Sequence, residues 1–173
     1  MELIEALMTR RSVRRFRTEQ VDDGLLWKIL TLGNAAPSAG NLQAREFIVV
    51  RDGEVKQRLA RAAFDQGFIR EAPLAIVVCC NQERTSKGYG MRGEKFYSIQ
   101  DADAAVMHIL LAAHALELGT CWVGAFDDRE VSSILKLPSY IRPIAIIPLG
   151  YPKKMPEQTS RIPIEKLVHF DTW

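Results

Sequence analysis

The sequence predicts one mixed domain of helices and strands, α/β or α+β in class, spanning residues 1–173. Three stretches carry that reading. Leu74–Cys80 (LAIVVCC) is a continuous apolar run of strand length, the pattern of a strand covered on both faces. Ala102–Leu118 is apolar nearly all round over helical length, which marks a central buried helix. The last 23 residues hold Pro152, Pro156 and Pro163, little periodicity and an aromatic end at Phe170 and Trp173. Such a tail is expected to wrap a partner surface.

The remaining elements follow in chain order. Leu3, Ile4, Leu7 and Met8 sit at helical spacing, so a short amphipathic helix is expected to dock on the core. Asp22–Ala36 reads as a helix capped by Asp22 or Asp23, with Leu26, Ile29, Leu30 and Gly33 on one face. Pro37-Ser38-Ala39-Gly40-Asn41 breaks regular structure and reads as a loop. Phe47–Val50 is a short strand, and Glu54–Phe64 is a helix with Val55, Leu59 and Ala62 or Ala63 inward. Residues 82–96 are polar, hold three glycines and read as a mobile loop or lid. Ser98 and Asp101 form an S-x-x-D capping box that opens the core helix, and Gly119 closes it. Cys121–Phe126 reads as extended, Asp127 caps a short helix to Leu135, and Ile144–Leu149 is a second buried strand. Parallel and mixed pairing are both compatible with these patterns.

Composition narrows the function. The chain has 47% hydrophobic and 25% charged residues, ordinary for a globular protein long enough to bury a sizeable core. Net charge is only +2, and the basic excess is concentrated in one place. A nucleic-acid binder spreads a larger excess over a patch or stripe, so a small anionic ligand is favoured over a polyanion. Cys79 and Cys80 are neighbours in a strand and point to opposite faces, and Cys121 stands alone. With an odd thiol count, no CxxC and no signal-peptide pattern, a reducing compartment is expected, hence the cytoplasm. The core helix carries Asp103, His108, His114 and Glu117, so no membrane span is expected.

The basic excess is Arg10-Arg11-Ser12-Val13-Arg14-Arg15-Phe16-Arg17, five arginines in eight positions. Guanidinium forks suit phosphate, and the Ser12 hydroxyl between them adds a donor. That phosphate belongs either to a nucleic acid or to a cofactor. Other constellations are weak. His108 and His114 are six apart, outside metal-binding helical spacing. Gly88, Gly90 and Gly93 spell G-x-G-x-x-G without a strand leading into it, a chance match in a polar segment. No G-x-S-x-G elbow is present, and the cysteines lie in apolar runs that suppress reactivity. No catalytic side chain and no metal ligand set emerges, so a cofactor is expected to carry any chemistry.

Four separated features, in this order, resemble the nitroreductase family, FMN-dependent NAD(P)H oxidoreductases that fold as intertwined homodimers. They are the R-R-S-x-R-x-F opening, the A-P-S-x-x-N-x-Q loop from Ala36, the G-x-x-W-x-G-A-F-D segment from Gly119, and Arg161 following P-L-G-Y-P at Pro148–Pro152. The E-A-P and apolar strand at Glu71–Cys80 and the Q-D-A-x-A-A start of the core helix fit the same pattern. The resemblance implies a three-layer α/β/α sandwich with a mixed central sheet around the core helix and a domain-swapped C-terminal tail. It implies that Arg10 and Ser12 hold the FMN phosphate, with Arg11 beside them and Arg161 completing the pocket. Arg14 is placed at the N1/C2=O edge of the flavin, and Gln66 near its pyrimidine edge. Pro37, Ser38 and Ala39 are expected from the other subunit, against one ring face, with Asn41 supporting the loop. Val123, Gly124 and Ala125 are expected over the opposite face, offering a backbone N–H to N5. The implied activity is ping-pong hydride transfer from NAD(P)H to a small acceptor such as a nitroaromatic or quinone. Other flavin chemistry on the same fold (flavin destruction, dehalogenation, azoline oxidation) and a nucleic-acid binding module are the alternatives. The chain departs from the family's Q-P-W continuation with Gln43-Ala44-Arg45, and its 82–96 lid is short.

Overall fold

The computed structural model describes all residues, Met1–Trp173. Helices α1 (Leu3–Thr9) and α2 (Asp23–Asn34) precede strand β1 (Arg45–Val50). Helices α3 (Gly53–Ala62) and α4 (Phe68–Glu71) lead to strand β2 (Leu74–Asn81). Helices α5 (Gln82–Arg92) and α6 (Ser98–Ala115), strand β3 (Gly119–Thr120), helix α7 (Asp128–Leu135) and strand β4 (Ile141–Gly150) complete the body. The sheet order is β1-β2-β4-β3.

The three layers follow from the period-two alternation of the inner strand β2. Leu74, Ile76, Val78 and Cys80 join Leu26, Ile29 and Leu30 of α2 and Val106, Ile109 and Leu110 of α6 in one core. Ala75, Val77 and Cys79 face the opposite side, with Leu59 of α3, Ile69 of α4 and Val131 of α7. Neighbouring cysteines therefore belong to different cores, as their spacing predicts. Asp22 and Asp127 cap α2 and α7 through backbone N–H groups two and three residues on.

Several expectations are corrected. All three strand ladders are antiparallel, and parallel pairing is confined to the Ser12–Thr120 bridge. Residues 82–96 are a helix and a π-helical turn, Gly93–Tyr97, with a break at Gly90. The reason is tertiary as well as local. Asn81 caps α5, a Lys87–Glu83 pair braces it, and Arg84 ties it to Gln43 and to Glu46 of β1. Ser98 is not a cap, because the turn runs straight into α6 and its hydroxyl donates to Glu94 O (2.6 Å). The residue that ends α6 is Glu117, in the left-handed region at φ 63°, and Gly119 lies in β3. Finally, α1 buries only Ala6, while Leu3, Ile4, Leu7 and Met8 remain exposed.

Candidate functional site

The arginine segment is extended chain stitched to the body by its backbone. Val13 N–H donates to Thr120 O (2.8 Å), Arg17 N–H to Tyr151 O (2.8 Å), and Lys153 N–H to Arg15 O (3.0 Å). Val13 and Phe16 are buried, which turns Arg14, Arg15 and Arg17 outward and leaves Arg10, Arg11 and Ser12 half-buried. This is a pinned rail of cations along β3 and the segment that follows β4.

None of these cations is neutralised within the chain. The ion pairs are Arg51–Asp23, Arg84–Glu46, Lys87–Glu83 and Arg142–Asp128, so Arg10, Arg11, Arg14, Arg15, Arg17 and Arg161 have no carboxylate partner. Burial and then the Arg161 charge lower the Arg10 pKa, with Arg11 adding to the effect. Side-chain hydrogen bonds hold Arg11 to Met8 O and Arg10 O (2.9 Å each) and Arg161 to Thr159 and Ser160. Uncompensated like charges in a half-buried cluster favour an anion between them. His114 closes the inner side. Thr9 Oγ1 donates to Glu5 O (2.6 Å), so the His114 Nε2–H donates to Thr9 Oγ1 (2.8 Å). Burial, then Arg10 and Arg11, depress the His114 pKa.

Beyond Arg10–Ser12 the rail continues to Arg14. The Arg14 guanidinium lies 5.7 Å from the Phe68 ring centroid. A cavity of about 450 Å³ opens beside it, lined by Ser12, Arg14, Arg15, Lys154, Met155, Pro156 and Glu157. Cys121 sits underneath, buried, its thiol pKa raised by burial against the opposing pull of Arg14 and Ser12. Val123 N–H is taken by Ile146 O (3.0 Å). Gly124 and Ala125 are exposed, and their N–H groups have no acceptor. A Cβ on Gly124 would meet only Trp122, at 3.5 Å or more, so its own fold does not demand glycine there. The open N–H groups and the missing side chain leave a face on which a planar ring can lie. Gln66 joins this face, donating to Ala63 O (3.0 Å) and Ala125 O (3.2 Å). Anion cradle, cation and flat N–H face together fit the phosphate and ring of FMN.

The Pro37–Asn41 loop stands apart from this rail. Its hydrogen bonds run to α6, through Asp101, to Arg45 of β1, and to Gln43. Gly40 has φ 55°, and a Cβ there would lie 2.6 Å from the Tyr89 hydroxyl of α5, so glycine is required. Of the predicted site residues, one chain brings together Arg10, Arg11, Ser12, Arg14, Gln66, Val123, Gly124, Ala125 and Arg161, and not Pro37, Ser38, Ala39 and Asn41. Sequence reasoning missed Asp101 and Arg45, which grip this loop. The S-x-x-D spacing assigns Asp101 to a cap, and Arg45 shows only as a departure from Q-P-W. It also missed the tail residues Lys154 and Met155, which no motif marks.

The geometry defines an α+β domain with an anion cradle leading to an open backbone face. Comparison with known proteins carries this to a family. The Nitroreductase family profile matches residues 7–71 and 62–151. The Thermus thermophilus NADH dehydrogenase is 32% identical over 190 residues, covering 94% of this chain and 93% of that protein. The Bacillus subtilis FMN reductase (NAD(P)H) is 28% identical over 185 residues, covering 99% and 74%. The solved structure of the Vibrio harveyi NADPH:FMN oxidoreductase complexed with NAD+ has a TM-score of 0.91 and 26% identity, covering 99% of this chain and 77% of that one. The chain belongs to the nitroreductase family.

Proposed function

We propose that this chain is an NAD(P)H-dependent FMN oxidoreductase that works as a homodimer with composite active sites. The observation that carries the reading is the uncompensated Arg10–Arg11–Arg161 cluster continuing into the open N–H face at Gly124–Ala125. Arg10, Ser12 and Arg161 hold the phosphate, with Arg11 alongside. Arg14 lies at the N1/C2=O edge, where its charge favours the anionic reduced form. Gln66 serves the pyrimidine edge. Gly124 and Ala125 present N–H groups toward N5, while Val123 shapes the backbone that carries them. When bound, FMN supplies the redox chemistry, accepting a hydride from NAD(P)H and passing it to a small acceptor such as a nitroaromatic or quinone in a ping-pong cycle. The chain's own residues bind, orient and exclude water, and no side chain serves as general acid or base.

Two surfaces support the dimer. Leu3, Ile4, Leu7 and Met8 of α1 lie bare, although their spacing is that of a docking face. Every residue from Lys153 to Trp173 is exposed, and Phe170 and Trp173 are 85% and 100% exposed. Ordering such a segment costs about 1–2 kcal/mol per residue in backbone entropy, which a partner surface offsets by burial. A groove of about 730 Å³ beside edge strand β1, lined by Leu26, Trp27, Leu30, Phe47 and Val49 among others, gives the tail a seat on the partner. In that arrangement the Pro37–Asn41 loop of one protomer packs on the flavin of the other. No helix is long and apolar enough to cross a membrane, and three buried free thiols suit the reducing cytoplasm.

Purification followed by flavin extraction and anaerobic titration tests the reading. A yellow protein with about one FMN per chain, bleached by NADH or NADPH and reoxidised by an added quinone, is the expected outcome. Parallel double-reciprocal plots report the ping-pong order. A colourless protein that takes up no FMN and binds DNA in a salt-sensitive manner overturns it.

A further inference from the structure

The Pro37–Asn41 loop is gripped from two sides by buried charges of opposite sign. Arg45, at the start of β1, is 4% exposed. Its Nε donates to Asn34 Oδ1 (3.2 Å), Nη1 to Pro37 O (3.2 Å), and Nη2 to Asn34 O (2.7 Å) and Ala36 O (2.8 Å). Those carbonyls end α2 and begin the loop, the groups a helix C-terminus leaves without intrahelical donors. Asp101, in the first turn of α6, is 3% exposed and accepts from Ala39 N–H (2.9 Å) and Ala44 N–H (3.3 Å). The cation thus takes the oxygens on one side of the loop and the anion takes the N–H groups on the other.

Between these holds the backbone is forced. Gly40, Asn41 and Gln43 all lie in the left-handed region, at φ 55°, 55° and 51°. For the two non-glycines such conformations cost on the order of 1 kcal/mol each and persist only where the surroundings over-determine them. A local bond from Gln43 N–H to Ser38 Oγ (3.0 Å) closes the turn on itself. Burying a guanidinium and a carboxylate without direct contact is costly, so the pair is poorly explained as a source of stability alone. It is well explained as a device that sets one conformation. A lysine at 45 offers a point charge and cannot serve four oxygens spread over Asn34, Ala36 and Pro37.

We propose that Arg45 and Asp101 are positioning residues that hold the Pro37–Asn41 backbone at the height and angle from which it packs on the partner protomer's flavin. The assignment rests on the reading that this loop meets the flavin. Neither residue touches the cofactor or an acceptor, and both act through the loop.

The test uses the holoenzyme and three variants, Arg45→Lys, Asp101→Asn and Asn41→Ala, the last probing the loop directly. The readouts are kcat/KM for a quinone acceptor, the visible flavin spectrum and Tm. Arg45→Lys and Asp101→Asn are each expected to lower kcat/KM by about tenfold or more, since small displacements of a positioning element carry that effect. Both are expected to shift the flavin band in the same sense as Asn41→Ala. A lower Tm with spectrum and kcat/KM unchanged, while Asn41→Ala alters both, overturns the positioning role and leaves the loop reading intact. If all three variants leave spectrum and kcat/KM unchanged, the loop reading itself has failed. Amide exchange on the wild-type holoenzyme gives a check that needs no variant. Ala39 and Ala44 are expected to be protected well beyond Gly40, whose N–H has no acceptor, and equally fast exchange at all three contradicts the clamp.

Discussion

Arg10→Ala is the perturbation whose size is worked most directly from the site. The guanidinium is half-buried, has no carboxylate partner, and neighbours Arg161 and Arg11. A charge-assisted contact to a phosphate contributes roughly 1.5–3 kcal/mol. Removing Arg10 also relieves its repulsion with Arg161 and Arg11 in the ligand-free protein, which stabilises the unbound state and adds to the loss. The upper half of the range therefore applies, about 2–3 kcal/mol, or a Kd for FMN weaker by about 30- to 150-fold. Fluorescence titration of FMN into deflavinated protein measures it, with Arg17→Ala as a control. Arg17 is exposed and engages the body through its backbone N–H, so its loss is expected to change Kd by less than about threefold. Equal Kd values for Arg10→Ala and the wild type refute the phosphate assignment.

Three further outcomes are expected. Arg14→Ala retains FMN but lowers its two-electron midpoint potential by roughly 20–60 mV, the equivalent of about 1–3 kcal/mol, and an unchanged potential places Arg14 away from N1. Gly124→Ala keeps the wild-type Tm, because a Cβ there meets Trp122 at no less than 3.5 Å, yet cuts turnover by about tenfold by intruding on the ring face; unchanged turnover removes that face from the site. Burial pushes the Cys79 thiol up to about 12, so the unfolded chain releases this proton first as pH rises. Stability then falls above pH about 9 by roughly 1.4 kcal/mol per pH unit for this thiol, and denaturant titrations of Cys79→Ala show a shallower decline.

How much was legible in the sequence follows the source of each feature's stability. Strand β2, helix α2 and helix α7 carry their own signals, in continuous apolar residues or an Asp cap with a periodic face. Those signals survive folding unchanged. Helix α5 does not carry one. Its residues are polar and glycine-bearing, and its order draws on Arg84 reaching β1 and Tyr89 meeting Gly40, contacts no local window contains. The S-x-x-D pattern at Ser98 misled for a related reason, because a π-helical turn leads into α6 and frees Asp101 to face the loop. In the site, the arginine cluster was visible as composition and its lack of carboxylate partners was not. The amide of Val123, committed to Ile146, and the free amides of Gly124 and Ala125 are properties of strand pairing. Arg45 and Asp101 act across the fold, so neither belongs to a motif that sequence spacing reveals.

The central claim is that each active site draws its phosphate cradle from one protomer and its Pro37–Asn41 loop from the other. Mixed dimers test this most directly. Arg10→Ala disables the cradle, and a doubly substituted loop, Ser38→Ala with Asn41→Ala, disables the opposite ring face. With FMN held above the wild-type Kd and below that of Arg10→Ala, both homodimers are expected to turn over well below the wild-type level. If sites are shared, a mixed dimer holds one site with both defects and one with none. Dissociating and reassociating an equal mixture is then expected to restore about a quarter of the wild-type sites, since half the dimers are mixed and each gains one intact site. Activity that stays at the level of the two parent variants after subunit exchange contradicts the composite site.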